Sequence, residues 1–360
     1  MKTPFEIIEL RRQLNNTAEV SMKEKETKKA LIGFIKDKTE SLEIVDRGEW
    51  FYVFKQGKVH DNAIAFRADF DAVLCEDGCA RHLCGHDGHS AALCGFALWL
   101  DENEVNRDVY LIFQPGEETG QGAVICAPFL DEKKIKEIYG FHNIPGREAN
   151  TVMLLDKTFA CASTGLEIKL TGEESHAAYP ENGNNPALVV SEIILHMDET
   201  VKQKHNGVVL GTVIGIDLGS KSYGVSAGCG TLRLTLRAEY QNEFDEFVNK
   251  IENLAKKLAG ENGLGCEIRR IEEFPATVNA AKCSVKVRDA AESMGIRVIT
   301  PKEPFRWSED FGHYLKKIDG AFFGVGIGED HTGLHTADYE FNDEIIGTVI
   351  EIYKYLALRV

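Results

Sequence analysis

Two amphipathic patterns open the chain. "PFEIIELRRQLNN" and "KEKETKKALIGFIKDK" place apolar residues at three-to-four spacing, which predicts helices that bury one stripe. Three denser runs follow, "NAIAFRADF", "DVYLIFQPG" and "IKEIYGFHN". They are short and rich in β-branched or aromatic residues, and they predict buried strands. Between the first two runs, "HSAALCGFALWL" predicts a helix that is apolar on most of its surface. Strand–helix–strand order of this kind predicts a largely parallel sheet with covered faces.

The texture changes near residue 164. "GLEIKLTG" predicts a strand, "NPALVVSEIILHMDETV" a helix, and "VVLGTVIGI" and "GTLRLTLRAEY" two more strands. "EFDEFVNKIENLAKKLAG" and "CEIRRIEEF" add a helix and a strand, which completes the β-α-β-β-α-β order of a ferredoxin-like unit. Afterwards "SVKVRDAAESMG", "GAFFGVGIG" and "DEIIGTVIEIYKYLAL" resume helix–strand–helix alternation. The fold class predicted is therefore α/β. A mostly parallel-sheet domain, residues 1–163 and 276–360, is interrupted by a ferredoxin-like α+β domain, residues 164–275.

Composition narrows the function. The chain has 360 residues, 43% of them hydrophobic, enough for sizeable cores. A formal net charge of -16 argues against nucleic acid or an anionic membrane surface as partner, since both need a basic face. No apolar run approaches the roughly 20 residues of a membrane span. "MKTPFEIIELRRQL" has no unbroken apolar core of the signal-peptide kind. Nine cysteines, an odd number, then read as reduced thiols of a cytoplasmic protein.

Open parallel sheets hold their sites beyond the carboxyl ends of the strands. There "AIAFRAD" ends near Asp69 and Asp71, "VYLIFQPGEE" in Glu117 and Glu118, and "EIYGFH" in His142. "FFGVGIGEDHTGLH" delivers His331 and His335, and "CGHDGH" brings Cys84, His86, Asp87 and His89. Thiolate, imidazole and carboxylate together suit a pair of divalent cations, which polarise a carbonyl and acidify water. Adjacent residues of an extended segment point in opposite directions, so one of Glu117 and Glu118 is expected to bind metal while the other acts as general base. Other readings stay open. An "EE" pair alone is an ordinary solvated turn, Asp87 a helix cap, and Cys94 a small core residue. His82 and His89 would only neighbour or orient the ligands. Cys75, Cys79, His82, Cys84 and His86 could instead close a local zinc knuckle.

"FRADFDA", "HLCGHDGHSAALCGFAL", "FQPGEETGQGA", "GFHNIPG", "SHAAYPENGNNPA", "GTLR", "SEDFGHYL" and "LHTADYEFND" resemble, in this order, motifs of one branch of the two-metal amidohydrolases and peptidases. The branch holds aminoacylases, hippurate hydrolases, N-acetyl-diaminopimelate deacetylases and auxin-conjugate hydrolases. The resemblance implies a catalytic α/β domain with an inserted ferredoxin-like lid, and a homodimer formed through the lid. Its activity would be hydrolysis of the amide of a small N-acyl amino acid, or dipeptide cleavage on the same scaffold. A binding protein without turnover is the non-enzymatic alternative.

Carried over by motif, the resemblance makes Cys84, His86, Glu118, His142 and His335 the ligands of two divalent metal ions. The thiolate favours zinc on softness, and the resemblance permits manganese, nickel or cobalt. Glu117 becomes the general base, and Asp71 a carboxylate that orients a metal-binding group. His176 becomes a donor to the substrate carbonyl as its oxyanion develops, and Arg233 a fork for a substrate carboxylate. Three departures stand out. "LNNTAEVS" replaces a histidine-proline-glutamate element, "DAVL" replaces "DALP", and "SYGVSAGCG" puts Gly224 where an asparagine of the substrate-facing lid surface is usual.

Overall fold

The structure, a computed structural model, describes residues 3–359. The chain forms two compact units. The first comprises residues 3–159, 277–302 and 310–359, and the second residues 160–276 and 303–309.

The first unit is built on an eight-stranded sheet. Its spatial order is Glu43–Asp46, Phe51–Lys55, Arg107–Gln114, Val59–Asp69, Glu137–Ile144, Asp319–Gly326, Val152–Met153 and Val298–Ile299. The four central strands, from Arg107–Gln114 to Asp319–Gly326, run parallel. Arg107–Gln114 and Glu137–Ile144 are buried along their whole length, as strands covered on both faces must be. The outer pair Glu43–Asp46 and Phe51–Lys55 is an antiparallel hairpin, an element the apolar pattern does not announce. It turns at Gly48, whose φ of 90° is left-handed, and the Arg47 N–H donates to the Trp50 carbonyl at 2.8 Å.

The helix His86–Glu102 packs against helices Phe5–Asn16 and Ile346–Leu358 and against the strand Val59–Asp69. Phe66, Phe96 and Tyr353 lock this layer together, with the Phe66 ring 4.9 Å from Phe96 and 4.7 Å from Tyr353. The helix starts at Gly85, which has φ 91°. A Cβ there would lie 2.7 Å from both the Asn143 Oδ1 and the Tyr339 hydroxyl, so only glycine brings His86 this close to the strand ends.

The second unit has a four-stranded antiparallel sheet ordered Val209–Leu218, Cys229–Ala238, Ala162–Thr171 and Gly265–Phe274. With helices Ala187–Val201 and Gln241–Glu261 in the connections, this is the ferredoxin-like strand order. Leu166 and Ile168 lie opposite Leu234 and Leu232, and with Leu170 and Leu236 they are all buried. Residues 303–309 join it through the Cys161 N–H, which donates to the Phe305 carbonyl at 3.0 Å. Among the described residues no helix is long and apolar enough to cross a membrane.

Candidate metal centre

The carboxyl ends of the parallel strands, and the loops that follow them, gather five donors from four distant segments. Ligand atoms of Cys84, His86 and His142 lie within 4.8 Å of one another, and so do those of Cys84, Glu118 and His335. His86, Glu117 and Glu118 make a third such group. The groups overlap at Cys84, His86 and Glu118, as donors shared around two closely spaced ions would. Cys84, His86 and His142 are buried, Glu118 is half-buried, and His335 reaches in from an exposed loop.

Four of the five donors are positioned by a neighbour outside the set. His142 Nδ1 bonds the Asn143 carbonyl at 2.8 Å, which puts the proton on Nδ1 and leaves Nε2 as a lone pair 3.4 Å from Cys84 Sγ. Burial holds the His142 pKa well below its usual value, so the ring is neutral. His86 Nδ1 bonds Asp71 Oδ1 at 2.9 Å, and its Nε2 points into the cluster. The second oxygen of Asp71 accepts the Ser21 hydroxyl at 2.7 Å and the Glu118 N–H at 3.0 Å. One carboxylate thus orients two donors. His335 has φ 62°, uncommon outside glycine, and its N–H is tied to the Leu83 carbonyl at 2.8 Å. Its Nε2 stands 3.4 Å from Glu118 Oε1.

Two buried atoms of the cluster have no hydrogen-bond partner among the described residues, His86 Nε2 and Glu118 Oε1, and they face each other at 3.8 Å. That is too long for a hydrogen bond and leaves space for a cation between an imidazole and a carboxylate. The charge environment agrees. Burial opposes charge on His86, but Asp69 and Asp71 outweigh it and push its pKa up to about 10. Burial, then Glu118 and Glu117, drive the Cys84 thiol well above its usual value. Bound protons therefore occupy places where a dication would be favoured. Thiolate, imidazole and carboxylate donors around unpartnered buried atoms fit a pair of divalent ions.

Glu117 and Glu118 lie in a turn after the strand Arg107–Gln114, not in an extended segment. Their expected opposite orientation is corrected accordingly. Glu117 Oε2 and Glu118 Oε1 both stand 3.8 Å from His86 Nε2. What separates them is their support. Glu117 is buried, and its Oε1 accepts the Asp310 N–H at 3.3 Å. Gly116 makes the turn at φ 60°, and its N–H donates to the buried Glu24 carboxylate at 2.8 Å.

A buried network that motif reading leaves unassigned lies beneath. Arg67, 2% exposed, donates to Asp69 at 2.6 Å, Asp310 at 2.6 Å and Gln114 at 2.8 Å. Asp310 also accepts from Gln114 and from the Ala123 N–H. Asp69 in turn bonds His89 Nδ1 at 2.6 Å, and His89 Nε2 meets Asn143 at 2.5 Å, so both nitrogens of His89 are engaged. A charged residue inside the apolar run "AIAFRAD" is the signal for this network in the sequence.

The remaining candidates are not among these groups. His331 bonds the Thr332 carbonyl and packs on Tyr339. Among the described residues, the metal-capable groups leave out Cys75, Cys79 and His82 and join Cys84 and His86 to distant segments, so the knuckle does not form. Asp87 is not the N-cap, which is Gly85, but its Oδ1 accepts the first-turn Gly88 N–H at 3.0 Å. It lies in the first turn and accepts from Asn15 at 2.9 Å and Arg11 at 3.4 Å. In the second unit, His176 is exposed, and its Nδ1 accepts the Ala178 N–H at 3.1 Å. Its segment bridges that of Gly224, whose carbonyl takes the Ala177 N–H at 3.0 Å. A Cβ at Gly224 would meet nothing within 4 Å. Arg233 is bound to Glu167 at 3.2 Å and Asp217 at 2.6 Å, which occupies much of its fork.

Comparison with known proteins agrees with this chemistry. A hydrolase of Staphylococcus haemolyticus is 28% identical over 97% of this chain and 96% of its own. One of Staphylococcus aureus is 29% identical over 96% of each. Among solved structures, a Bacillus subtilis dinuclear metal-binding peptidase of the M20 family superposes with a TM-score of 0.82 at 22% identity, over 98% of this chain and 97% of its own. An aminobenzoyl-glutamate utilization protein from Klebsiella pneumoniae gives 0.76 at 17%, over 98% and 95%. The model of peptidase family M20/M25/M40 matches residues 65–359, a span that takes in every donor of the cluster, and the chain belongs to that family of metal-dependent, amide-cleaving hydrolases.

Proposed function

We propose that the protein is a deacylase of small N-acyl amino acids, of the aminoacylase and hippurate-hydrolase branch, working with two divalent ions held by Cys84, His86, Glu118, His142 and His335. The observation that carries the reading is the convergence of these donors in overlapping groups, one of which joins His86 and Glu118 to Glu117, a carboxylate that is buried and separately braced. When bound, the ion pair supplies Lewis acidity to the scissile carbonyl and to the attacking water. Glu117 takes the proton of that water as its oxygen adds to the acyl carbon, and returns it to the amide nitrogen as the C–N bond breaks. The Asp310 N–H holds Oε1, and Oε2 stands 3.8 Å from His86 Nε2, on the side of the cluster. Asp71 keeps the His86 proton on Nδ1, away from the donor nitrogen. His176 keeps the assignment its motif suggests, a donor to the carbonyl oxygen as negative charge develops. The second unit is proposed as a lid. Exposed Val213, Ile214 and Ile216 on its edge strand Val209–Leu218 support pairing of two copies there. Nine free cysteines support a reducing, cytoplasmic setting.

The test is a substrate screen. Acetyl, benzoyl and succinyl amino acids are offered to protein loaded in turn with zinc, manganese, nickel or cobalt, beside unblocked dipeptides. Release of free amino acid from the acyl compounds is expected. Cleavage of the dipeptides alone would overturn the proposal.

A further inference from the structure

The hairpin that leads into Cys84 carries two cysteines the metal chemistry does not use. Val73 pairs with Arg81 and Leu74 with Ala80, antiparallel. The same register sets Cys75 opposite Cys79, and the Cys75 N–H donates to the Cys79 carbonyl at 2.9 Å. Glu76, Asp77 and Gly78 close the loop between them. The Gly78 N–H returns to the Cys75 carbonyl at 2.9 Å, and Gly78 takes φ 81°. This is the three-residue hairpin loop with a left-handed glycine. Asp77 stiffens it by accepting the Cys79 N–H at 3.0 Å and the Arg81 guanidinium at 2.5 Å.

Directly opposed residues of a hairpin share a face, with Cβ atoms about 4.5–5.5 Å apart. A disulfide needs Cα atoms about 4.4–6.8 Å apart, which a hydrogen-bonded opposed pair at about 5.5 Å meets, and Cβ atoms about 3.5–4.5 Å apart, so closure draws the two residues slightly together. Access differs between the thiols. Cys79 is exposed and Cys75 half-buried, whereas Cys84, Cys94, Cys126 and Cys283 of the same unit are buried. An oxidant from solvent therefore meets Cys79 first.

We propose that Cys75 and Cys79 are a redox couple that closes to a disulfide in the presence of a peroxide and reopens with a thiol reductant. The Cys79 sulfur attacks one peroxide oxygen, the O–O bond breaks, and a sulfenic acid and one water result. The Cys75 sulfur then attacks the Cys79 sulfur, the S–S bond forms as the S–O bond breaks, and a second water leaves with the thiol proton. Two thiols are oxidised and one hydrogen peroxide is reduced to two waters.

The chain is convenient for testing this. Trypsin cuts after Arg67 and Arg81, and the peptide between them, residues 68–81, holds these two cysteines and no other. Metal-loaded full-length protein is treated with hydrogen peroxide, alkylated under denaturing conditions, digested and weighed. The expected peptide is two hydrogens lighter and unlabelled, and gains two labels after dithiothreitol. In Cys79→Ser, and independently in Cys75→Ser, that lighter peptide is expected to disappear. A parent peptide that keeps both labels, carries stable oxygen adducts, or is cross-linked to another segment would overturn the assignment.

Discussion

Replacing Asp71 with Asn isolates what one buried carboxylate does for the metal centre. Asp71 is fully buried, receives the Ser21 hydroxyl and the Glu118 N–H on one oxygen, and holds His86 Nδ1 with the other. Asparagine has the same shape but only one acceptor oxygen. Kept toward Ser21 and Glu118, that oxygen leaves the amide NH2 facing His86 Nδ1. The imidazole must then accept at Nδ1 and carry its proton on Nε2, the atom needed as a metal ligand. Flipped the other way, the NH2 confronts two donors, and the turn bearing Glu118 loses its anchor. Either arrangement weakens a ligand without removing it. Loss of such an orienting carboxylate costs about 10- to 100-fold in metal affinity, equivalent to about 1.4–2.7 kcal/mol. The assay is competition against a chromophoric chelator at fixed pH, with Ser21→Ala as a milder control that leaves the His86 contact intact. Parent-like affinity in Asp71→Asn would refute the tautomer argument.

Four further outcomes are expected. Glu117→Gln should bind metal normally while turnover falls about 10²- to 10⁴-fold, the usual worth of a general base; equilibrium dialysis and initial rates separate the two. Arg67→Leu should lower stability by about 3–5 kcal/mol, because Asp69 and Asp310 become buried charges without their cation; urea unfolding of the metal-free protein reads this directly. Metal loading near pH 7 should release protons from both His86, whose pKa stands at about 10, and the raised Cys84 thiol. Affinity should therefore rise with pH, as calorimetry in buffers of different ionisation enthalpy would show. Burial, then Asp71, pushes Glu24 up to about 7 in the folded protein. The folded state thus holds this proton more tightly than the unfolded chain, and the stability it contributes is present below about pH 4.5 and lost as pH rises through 7. Glu24→Gln should therefore gain on the parent by up to about 3 kcal/mol between pH 5 and pH 8. A constant difference across that range would refute the shift.

The parts of the site that sequence reading reaches are those whose position follows from strand ends. "AIAFRAD", "VYLIFQPGEE" and "EIYGFH" each terminate a buried run, and a parallel sheet must bring such ends to one edge. What it misses depends on pairing in space. Asp69 lies opposite Gln114 only because two strands share a particular register, and Asp310 arrives from a loop far along the chain. Neither relation leaves a periodic trace. The misread orientation of Glu117 and Glu118 has a similar origin. Gly116 bends the chain with a positive φ, so the alternation rule for extended residues no longer applies. The hairpin Glu43–Asp46 and Phe51–Lys55 escapes because its outer strand is only half-buried or exposed and shows no apolar run.

The placement of Arg67 explains how so many acids coexist in one buried edge. Asp69 and Asp310 share its guanidinium, so their charges are answered inside the protein. Asp71, Glu117 and Glu118 turn toward His86. An arginine bound to their oxygens would compete with any metal for them. Histidine and cysteine serve both states, because protons held at His86 and Cys84 relieve the acids until dications displace them. One part of the acidic edge is thus braced by arginine, although burial still raises the Asp310 pKa to about 6. The other part faces His86, whose charge is exchangeable, and it bears the ligand Glu118.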